Sequence, residues 1–371
     1  MFLQNLRCFQ FKNYATLVLP FTKPINFITG LNGAGKTNLL DAIHYLCLTK
    51  SAFGHTDALH IQHQKTKMSI KGTFSKWDKT YDIQCIVDYT QGKYFQNNGK
   101  RYERLKDHLG LFPLVLTTPY DSEIIQGGSD VRRKFIDTTL CQIDSMYLEK
   151  LILYQKLLKQ RNSLLRTSGK NYTGWVDKDL IASYDEQLLP LGYAIYQTRK
   201  KFMDAFLPLL QMNYQRFVKT AIEKIQVAYL SDLEKADFQQ RFFDHLSNDI
   251  AAQRTCLGVH KDDFDFLLNG YTIKQFGSQG QQKSCIIALR LTQFDIIAQA
   301  SNCKPILLLD DIFDKLDEER MEQLLQLMEQ GHFGQVWITD AGTKRNTTML
   351  QHLHADKVHF NIAQGQLIAA K

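Results

Sequence analysis

Asn26-Phe27-Ile28-Thr29-Gly30-Leu31-Asn32-Gly33-Ala34-Gly35-Lys36-Thr37-Asn38-Leu39-Leu40 is the stretch whose reading decides the fold. Gly30 to Thr37 fits the phosphate-binding pattern G-x-x-x-x-G-K-[ST] at every required position. Glycine lets the backbone curl until several N–H groups converge on one cluster of phosphate oxygens, a path that a Cβ would obstruct. The expected cradle is Gly30, Leu31, Asn32, Gly33, Ala34, Gly35, Lys36, Thr37 and Asn38. Lys36 is placed to reach the terminal phosphates of a nucleoside triphosphate, and Thr37 to offer its hydroxyl to Mg²⁺. A helix opening at Asn38, with Leu39, Ile43 and Leu46 on one face, aims its positive end at the same anion. The plain alternative is a Gly-rich turn that merely precedes a lysine. The apolar strand Phe27-Ile28 ahead and the helix behind favour nucleotide binding.

Two further pieces have the chemistry of such a site. Pro305-Ile306-Leu307-Leu308-Leu309-Asp310-Asp311 is an apolar run ending in two carboxylates. A buried parallel strand of this kind carries its last charge to the phosphate end of the sheet, so Asp310 is expected to contact the metal. Asp311, pointing differently, would orient or deprotonate the attacking water; a strand ending in an ordinary polar turn is the alternative. Phe276-Gly277-Ser278-Gln279-Gly280-Gln281-Gln282-Lys283 is a small-residue loop before a helix with Ile286, Leu289 and Leu291. Ser278 there is either an anion contact at the helix start or a plain N-cap.

The remaining chain divides by texture. Residues 1–19 alternate as strands, and so do 67–75 and 80–90, with a tight turn at Asn97-Asn98-Gly99. From near Ser129, residues 131–166 and 175–217 carry apolar side chains at helical spacing, for example Leu148, Leu151, Leu158 and Leu165. A break at Ser168-Gly169-Lys170-Asn171 is expected to fold one helix back on the other, with Pro190 and Pro208 kinking or interrupting the return limb. Strand signals return at Phe264, Phe266 and Leu268. A helix over 279–300, the strand Ile306–Leu309, a helix over 318–330 and the strand Val336–Ile338 then alternate as in a mostly parallel sheet. The expected fold class is α/β: a P-loop ATPase head with a mixed sheet and an inserted helical, coiled-coil-like arm. The head comprises 1–130 and 251–371, and the arm 131–250.

The 371 residues are 44% hydrophobic and 22% charged with a formal net charge of +7, an ordinary ordered chain whose mild basicity suits a polyanionic partner. Seven scattered cysteines without a C-x-x-C spacing favour neither a disulfide framework nor a zinc site, and point to a reducing cytoplasm. No secretory signal is evident at Met1–Phe11, and no stretch approaches the ~20 apolar residues of a membrane span. The densest basic clusters are Arg132-Arg133-Lys134 and Arg199-Lys200-Lys201. Arg132, Arg133 and Lys200 are candidate DNA-phosphate contacts, the alternatives being a solvated helix face or ion pairs inside the fold. His60 and His63 lack matching ligands for a metal.

The phosphate loop, the Ser278 loop and the acidic strand together resemble ATP-binding-cassette and SMC-type head ATPases. The chain is more closely similar to the RecF family of bacterial DNA replication and repair proteins. The resemblance is carried by Phe11-Lys12-Asn13-Tyr14, Gly30 to Leu40, Asp130-Val131-Arg132-Arg133-Lys134-Phe135-Ile136-Asp137 and Arg161-Asn162-Ser163-Leu164-Leu165. It continues through Gly258-Val259-His260-Lys261-Asp262-Asp263-Phe264, Phe276 to Gln282 and Leu307 to Asp317. It implies a weak ATPase in which two heads sandwich two ATP molecules with Mg²⁺. Ser278, Gln279 and Gly280 of one copy, its signature loop, would cap the γ-phosphate held by Lys36 of the other. Asp314-Lys315-Leu316-Asp317 would lie across the seam, and Lys12 would supply an adenine or phosphate contact. The resemblance further implies binding to DNA at gaps bordered by duplex, work with the RecO and RecR mediators in loading recombinase, support of the SOS response, and slow hydrolysis that releases the dimer. Lys12, Lys261 and Lys283 stand where the family usually has Arg, keeping the charge without the planar fork. Pro119-Tyr120-Asp121-Ser122-Glu123 matches the family only loosely, and Asp340 either joins the site or caps a turn. The motor subunit of a membrane transporter and a metabolic P-loop kinase are the rival functions. The first usually carries a histidine near Thr339-Asp340, and the second needs no signature loop.

Overall fold

A computed structural model describes residues 1–54, 56–170, 177–218, 223–312, 316–340 and 354–370, without the side chains of 167–170. The chain forms two compact units: Met1–Asp121 with Leu289–Lys371, and Ser122–Ala288.

The first unit opens with β1 (Phe2–Phe11), β2 (Tyr14–Pro20) and β3 (Ile25–Thr29), followed by α1 (Lys36–Leu48). Strands β4 (Lys67–Lys76), β5 (Lys79–Asp88), β6 (Gly92–Asn97), β7 (Lys100–Arg101) and β8 (Leu114–Thr117) follow. An antiparallel sheet has the order β2-β1-β4-β5-β6-β7. Its strands alternate, as Met68, Ile70, Gly72 and Phe74 on the inner face of β4 show, because only one face meets the core. Asn98 and Gly99 both take positive φ at the β6–β7 turn, the conformation a two-residue hairpin demands.

The second unit starts with the short α2 (Glu123–Gln126), then α3 (Ser129–Ile143), α4 (Ser145–Lys170) and α5 (Lys178–Gln215). It continues with β9 (Ile225–Leu230), α6 (Phe238–Asp244), α7 (Leu246–Ala252), β10 (Asp263–Leu268), β11 (Tyr271–Thr272) and α8 (Ile273–Phe276). Helix α9 (Gln279–Ser301) contains the boundary between the units. The first unit then resumes with β12 (Ile306–Leu309), α10 (Glu318–Glu329), β13 (Val336–Asp340), β14 (Lys357–Ala363) and β15 (Gln366–Ala370).

The mixed sheet has the order β15-β14-β3-β13-β12-β8, parallel throughout except for β14–β15. The phosphate-loop strand β3 therefore lies inside the sheet that the C-terminal strands complete. Every residue of β12 and β13 is buried, as expected of strands covered on both faces. Eleven of the thirteen α1 residues are buried too, so this helix is enclosed on nearly every side. Its Leu39, Ile43 and Leu46 join Leu3, Phe74, Trp337 and Ile362 in one core drawn from both sheets.

Several boundaries differ from expectation. The stretch 131–166 is two helices, because Asp144 leaves the helical conformation and its carboxylate accepts the Tyr147 N–H at the start of α4. Helix α4 runs to Lys170, so Ser168-Gly169-Lys170 do not break it, and Asn171 lies outside the described residues. Pro190 and Pro208 do not interrupt α5, which continues through both. Both prolines are exposed, so the carbonyls they leave without a helical partner can face water. Helix α1 begins at Lys36 rather than Asn38. Among the described residues no helix is long and apolar enough to cross a membrane.

Two histidines, the buried His108 and the half-buried His260, give the fold a pH dependence. His108 Nε2 lies 2.6 Å from the Leu46 carbonyl and Nδ1 lies 3.0 Å from the Tyr102 hydroxyl. His260 repeats the pattern with the Thr255 carbonyl at 3.0 Å and the Tyr154 hydroxyl at 2.8 Å. A carbonyl only accepts, so Nε2 carries the proton in each, and the neutral ring is fully bonded. Burial pushes each down from 6.5 to about 4. Between those values the unfolded chain binds protons that the fold excludes, so stability is complete above pH 6.5 and falls as pH drops toward 4. At about 1.4 kcal/mol per pH unit, the loss amounts to roughly 3 kcal/mol for each histidine. Denaturant midpoints measured from pH 7 to 4.5 should fall accordingly; a flat profile would contradict the assignment.

Candidate nucleotide site and signature loop

The phosphate loop is held from outside by two turns. The Tyr14 hydroxyl donates to the Gly35 carbonyl at 2.8 Å, and the Asn13 amide to the Ala34 carbonyl at 3.0 Å. Asn13 in turn accepts from the Asn38 amide at 2.8 Å. From the β14–β15 turn, the Gly365 N–H reaches the Ala34 carbonyl at 3.0 Å. These close approaches explain two glycines. A Cβ on Gly30 would lie 2.1 Å from the Ile362 carbonyl oxygen, and one on Gly35, at φ 117°, would lie 2.6 Å from Asn13 Nδ2.

Gly35 is the N-cap of α1, and no side chain caps the helix there. The first-turn N–H groups thus face the loop's interior, where an anion complements the helix dipole. Lys36 is buried, its ammonium donating to the Gly30 carbonyl at 2.9 Å. Thr37 Oγ1 donates to Asp310 at 2.9 and 3.1 Å, and Thr339 Oγ1 donates to the same carboxylate at 2.8 Å. Sheet order explains this meeting, since Thr339 lies on β13, between the loop strand β3 and the acidic strand β12.

Asp310 is buried, and among the described residues it has hydroxyl donors but no ion pair. Burial raises its pKa above the usual carboxylate range, the Asp311 charge adds to this, and the Thr339 and Thr37 hydrogen bonds oppose it. A hydroxyl and a buried carboxylate side by side are an oxygen-donor pair that suits a hard divalent cation such as Mg²⁺. Asp311 takes the left-handed conformation (φ 43°), with its N–H on Thr339 Oγ1 at 2.9 Å, so its side chain departs in a different direction from that of Asp310. Asp340 is buried at the end of β13, paired in register with Thr29 just before the loop.

Other expected site residues lie elsewhere. Lys12 Nζ is 2.6 Å from the buried Asp41 of α1, which also accepts from Ser51 Oγ and the Ala52 N–H. Asp121, in the loosely matched segment, forms a two-pronged ion pair with Arg290 of α9 at 2.7 Å for each prong. Asp314 and Lys315 lie outside the described residues, while Asp317 caps α10 by accepting the Arg320 N–H.

The signature-loop residues belong to the second compact unit. Ser278 and Gln279 are exposed at the start of α9. The Ser278 N–H donates to Gln281 Oε1 at 2.8 Å, and the Gln281 N–H to Ser278 Oγ at 3.2 Å. This reciprocal pair is a capping box, so Ser278 is a helix cap whose side chain still faces solvent. Tyr271 and Phe276, also exposed, stack edge to face beside it.

One expected DNA contact is corrected. Arg132 is buried, gripping Asp263 at 2.7 and 2.9 Å and the Gly127 carbonyl at 2.9 Å. Arg133 is half-buried and donates one N–H to the Asp262 carbonyl at 2.5 Å. Arg199, counted in the second basic cluster, is also buried, between Asp137 and Asp262. Helical spacing carried the signal: Arg199 falls on the stripe Ile195, Phe202 and Phe206, and Arg132 on the stripe Phe135, Ile136 and Thr139. Lys134, Lys200 and Lys201 remain exposed.

The blocks that carry the family resemblance have structural work to do. Arg161, fully buried, donates to Asp185 at 2.5 Å, Asp249 at 2.7 Å and Thr255 Oγ1 at 2.8 Å. Asp249 also brings His245 and Cys256 within 4.8 Å, but its oxygens are already engaged by Arg161 and the Cys256 N–H. That cluster is a helix-end ion network.

A profile of the RecF/RecN/SMC N terminal domain family matches residues 2–359. Among curated relatives, a DNA replication and repair protein RecF of Flavobacterium johnsoniae is 39% identical over 98% of this chain and 100% of its own length. The corresponding protein of Cytophaga hutchinsonii is 40% identical over 99% of this chain and 96% of its own. A solved structure of the recombination mediator protein RecF-ATPrS in the RecFOR pathway superposes with a TM-score of 0.88 at 27% identity, covering 99% of this chain and 98% of its own. An SMC head domain from Pyrococcus furiosus superposes over 100% of this chain and 96% of its own, with a TM-score of 0.57 at 15% identity, a likeness of fold.

Proposed function

The chain belongs to the RecF family of DNA replication and repair proteins, and from that premise we propose that it is an ATP-switched DNA clamp closed by two copies of itself. Membership leaves the transporter-motor and metabolic-kinase alternatives without support. The observation that carries the reading is the Thr37–Asp310 contact behind an uncapped helix start and a buried Lys36. In it, Gly30 to Asn38 cradle the phosphates, Lys36 neutralises the terminal ones, and Thr37 and Asp310 hold Mg²⁺. Asp311 orients or deprotonates the attacking water, and Lys12 would make the adenine or phosphate contact only by giving up its pairing with Asp41.

A γ-phosphate held in this cradle would need a cap on its outer side. Ser278, Gln279 and Gly280 of the second copy would supply that cap. The functional head is 1–130 with 251–371, and 131–250 is the arm. Lys200, exposed on the arm, is retained as a DNA-phosphate contact. Slow ATP hydrolysis would open the clamp. Its proposed setting is the cytoplasm, at gapped DNA, with RecO and RecR helping recombinase to load and supporting the SOS response.

Retention on gapped duplex DNA tests this reading. It should require ATP and weaken steeply with salt, because phosphate neutralisation releases counterions. Retention equal with and without ATP would overturn it. Asp311→Asn should keep ATP affinity within about twofold while slowing hydrolysis at least ~100-fold, trapping the closed dimer. Parental turnover in that variant would remove Asp311 from the chemistry.

A further inference from the structure

The capping pair at Ser278 does not end with Gln281. Its side-chain oxygen takes the Ser278 N–H, so its NH₂ must point the other way, and there it donates to Glu223 Oε1 at 2.9 Å. The other oxygen of Glu223 accepts the Tyr214 hydroxyl at 2.6 Å. The Glu223 carbonyl accepts from the Gln211 amide at 3.1 Å, and the Gln211 oxygen takes the Ile225 N–H at 2.8 Å. Tyr214 and Gln211 belong to the last two turns of α5, a helix of 38 residues. One carboxylate thus stands between the end of α5 and the residue that fixes Ser278.

We propose that Glu223 is a positioning residue for the signature loop, locking the Gln281 amide so that Ser278 is presented in one geometry, and tying that geometry to the final turns of α5. This rests on the reading of Ser278 as the cap of a partner's nucleotide. A carboxylate suits the task because it accepts from both donors at once and, ionised, has no proton to donate, which fixes the orientation of the amide. The bond also has room to release. Glu223 borders a cavity of about 580 Å³ lined by Leu207, Gln211, Gln215 and Ile225, so it can swing away without repacking a core. A displacement at the end of α5 would therefore change the presentation of Ser278, and closure of the dimer with it.

Amide hydrogen exchange on the full-length protein without nucleotide tests the relay independently of the dimer. Glu223→Ala should speed exchange in the segment 278–282 roughly tenfold, the worth of one charge-assisted hydrogen bond. Glu223→Gln, which keeps a neutral acceptor for Gln281, should recover part of the protection there. Unchanged exchange in Glu223→Ala, acceleration spread across the whole second unit, or failure of Glu223→Gln to rescue would each overturn the proposal. ATP-driven dimerisation, measured beside the parental protein and Ser278→Arg, gives the functional arm. Glu223→Ala should weaken it about tenfold with monomer ATP affinity unchanged. A parental protein that never dimerises with ATP would defeat the sandwich reading and leave the exchange result to judge the relay. A parental protein that dimerises no better than Glu223→Ala would defeat the relay.

Discussion

Ser278→Arg should abolish ATP-induced dimerisation while leaving ATP binding by the separate copies within about twofold of the parental value. The size of the effect comes from symmetry. In a two-fold assembly each contact occurs twice, and a hydrogen bond to a charged phosphate is worth roughly 1.5–3 kcal/mol. Losing it at both sites removes roughly 3–6 kcal/mol, a hundred-fold or greater fall in the dimer constant at 1.4 kcal/mol per decade. Arginine adds bulk at an exposed position where the parental side chain is small. The capping role of Ser278 predicts something much milder: loss of an N-cap costs about 1 kcal/mol of stability and leaves association alone. Sedimentation with and without ATP separates the two. Dimerisation surviving in Ser278→Arg would reduce the loop to a helix cap.

Lys36→Met should weaken ATP binding roughly 10–100-fold and eliminate closure with it, measured by nucleotide titration and by the same sedimentation assay. The lysine is buried and hydrogen-bonded to the Gly30 carbonyl, so its ammonium is already desolvated and aimed across the mouth of the loop. Methionine keeps the length of the chain and removes the charge. The fold should survive, since Tyr14, Asn13 and Gly365 brace the loop through its carbonyls without help from Lys36. Unaltered ATP affinity in a folded Lys36→Met protein would exclude the loop as the nucleotide cradle.

Much of this site was legible because its parts obey local rules. The loop pattern, the fully apolar run Ile306–Leu309 before Asp310, and the strand–helix alternation each carry their signal within a few residues. Their meeting at Thr37 and Asp310 followed from the habit of parallel strands to gather their C-terminal ends along one edge. What escaped depends on contacts far apart in sequence. The loop's brace from Gly365, its close approach to Ile362 and the grip of Lys12 on Asp41 leave no periodic trace. Arg132 and Arg199 belong to dense basic runs, yet both stand on the apolar stripe of their helices, and position on the helix outweighs charge. In α5, Pro190 and Pro208 lie on the exposed side of a helix held by its buried face, so neither proline breaks it.

Everything rests on Ser278 serving a nucleotide held by another copy of the chain. A photoreactive phenylalanine analogue at Phe276, an aromatic side chain that is exposed beside the loop, probes this with little change of shape. Two copies distinguishable by mass should give adducts between position 276 of one and residues 30–38 of the other, only when ATP is present. Adducts confined to one copy, or formed equally without ATP, would contradict the shared site.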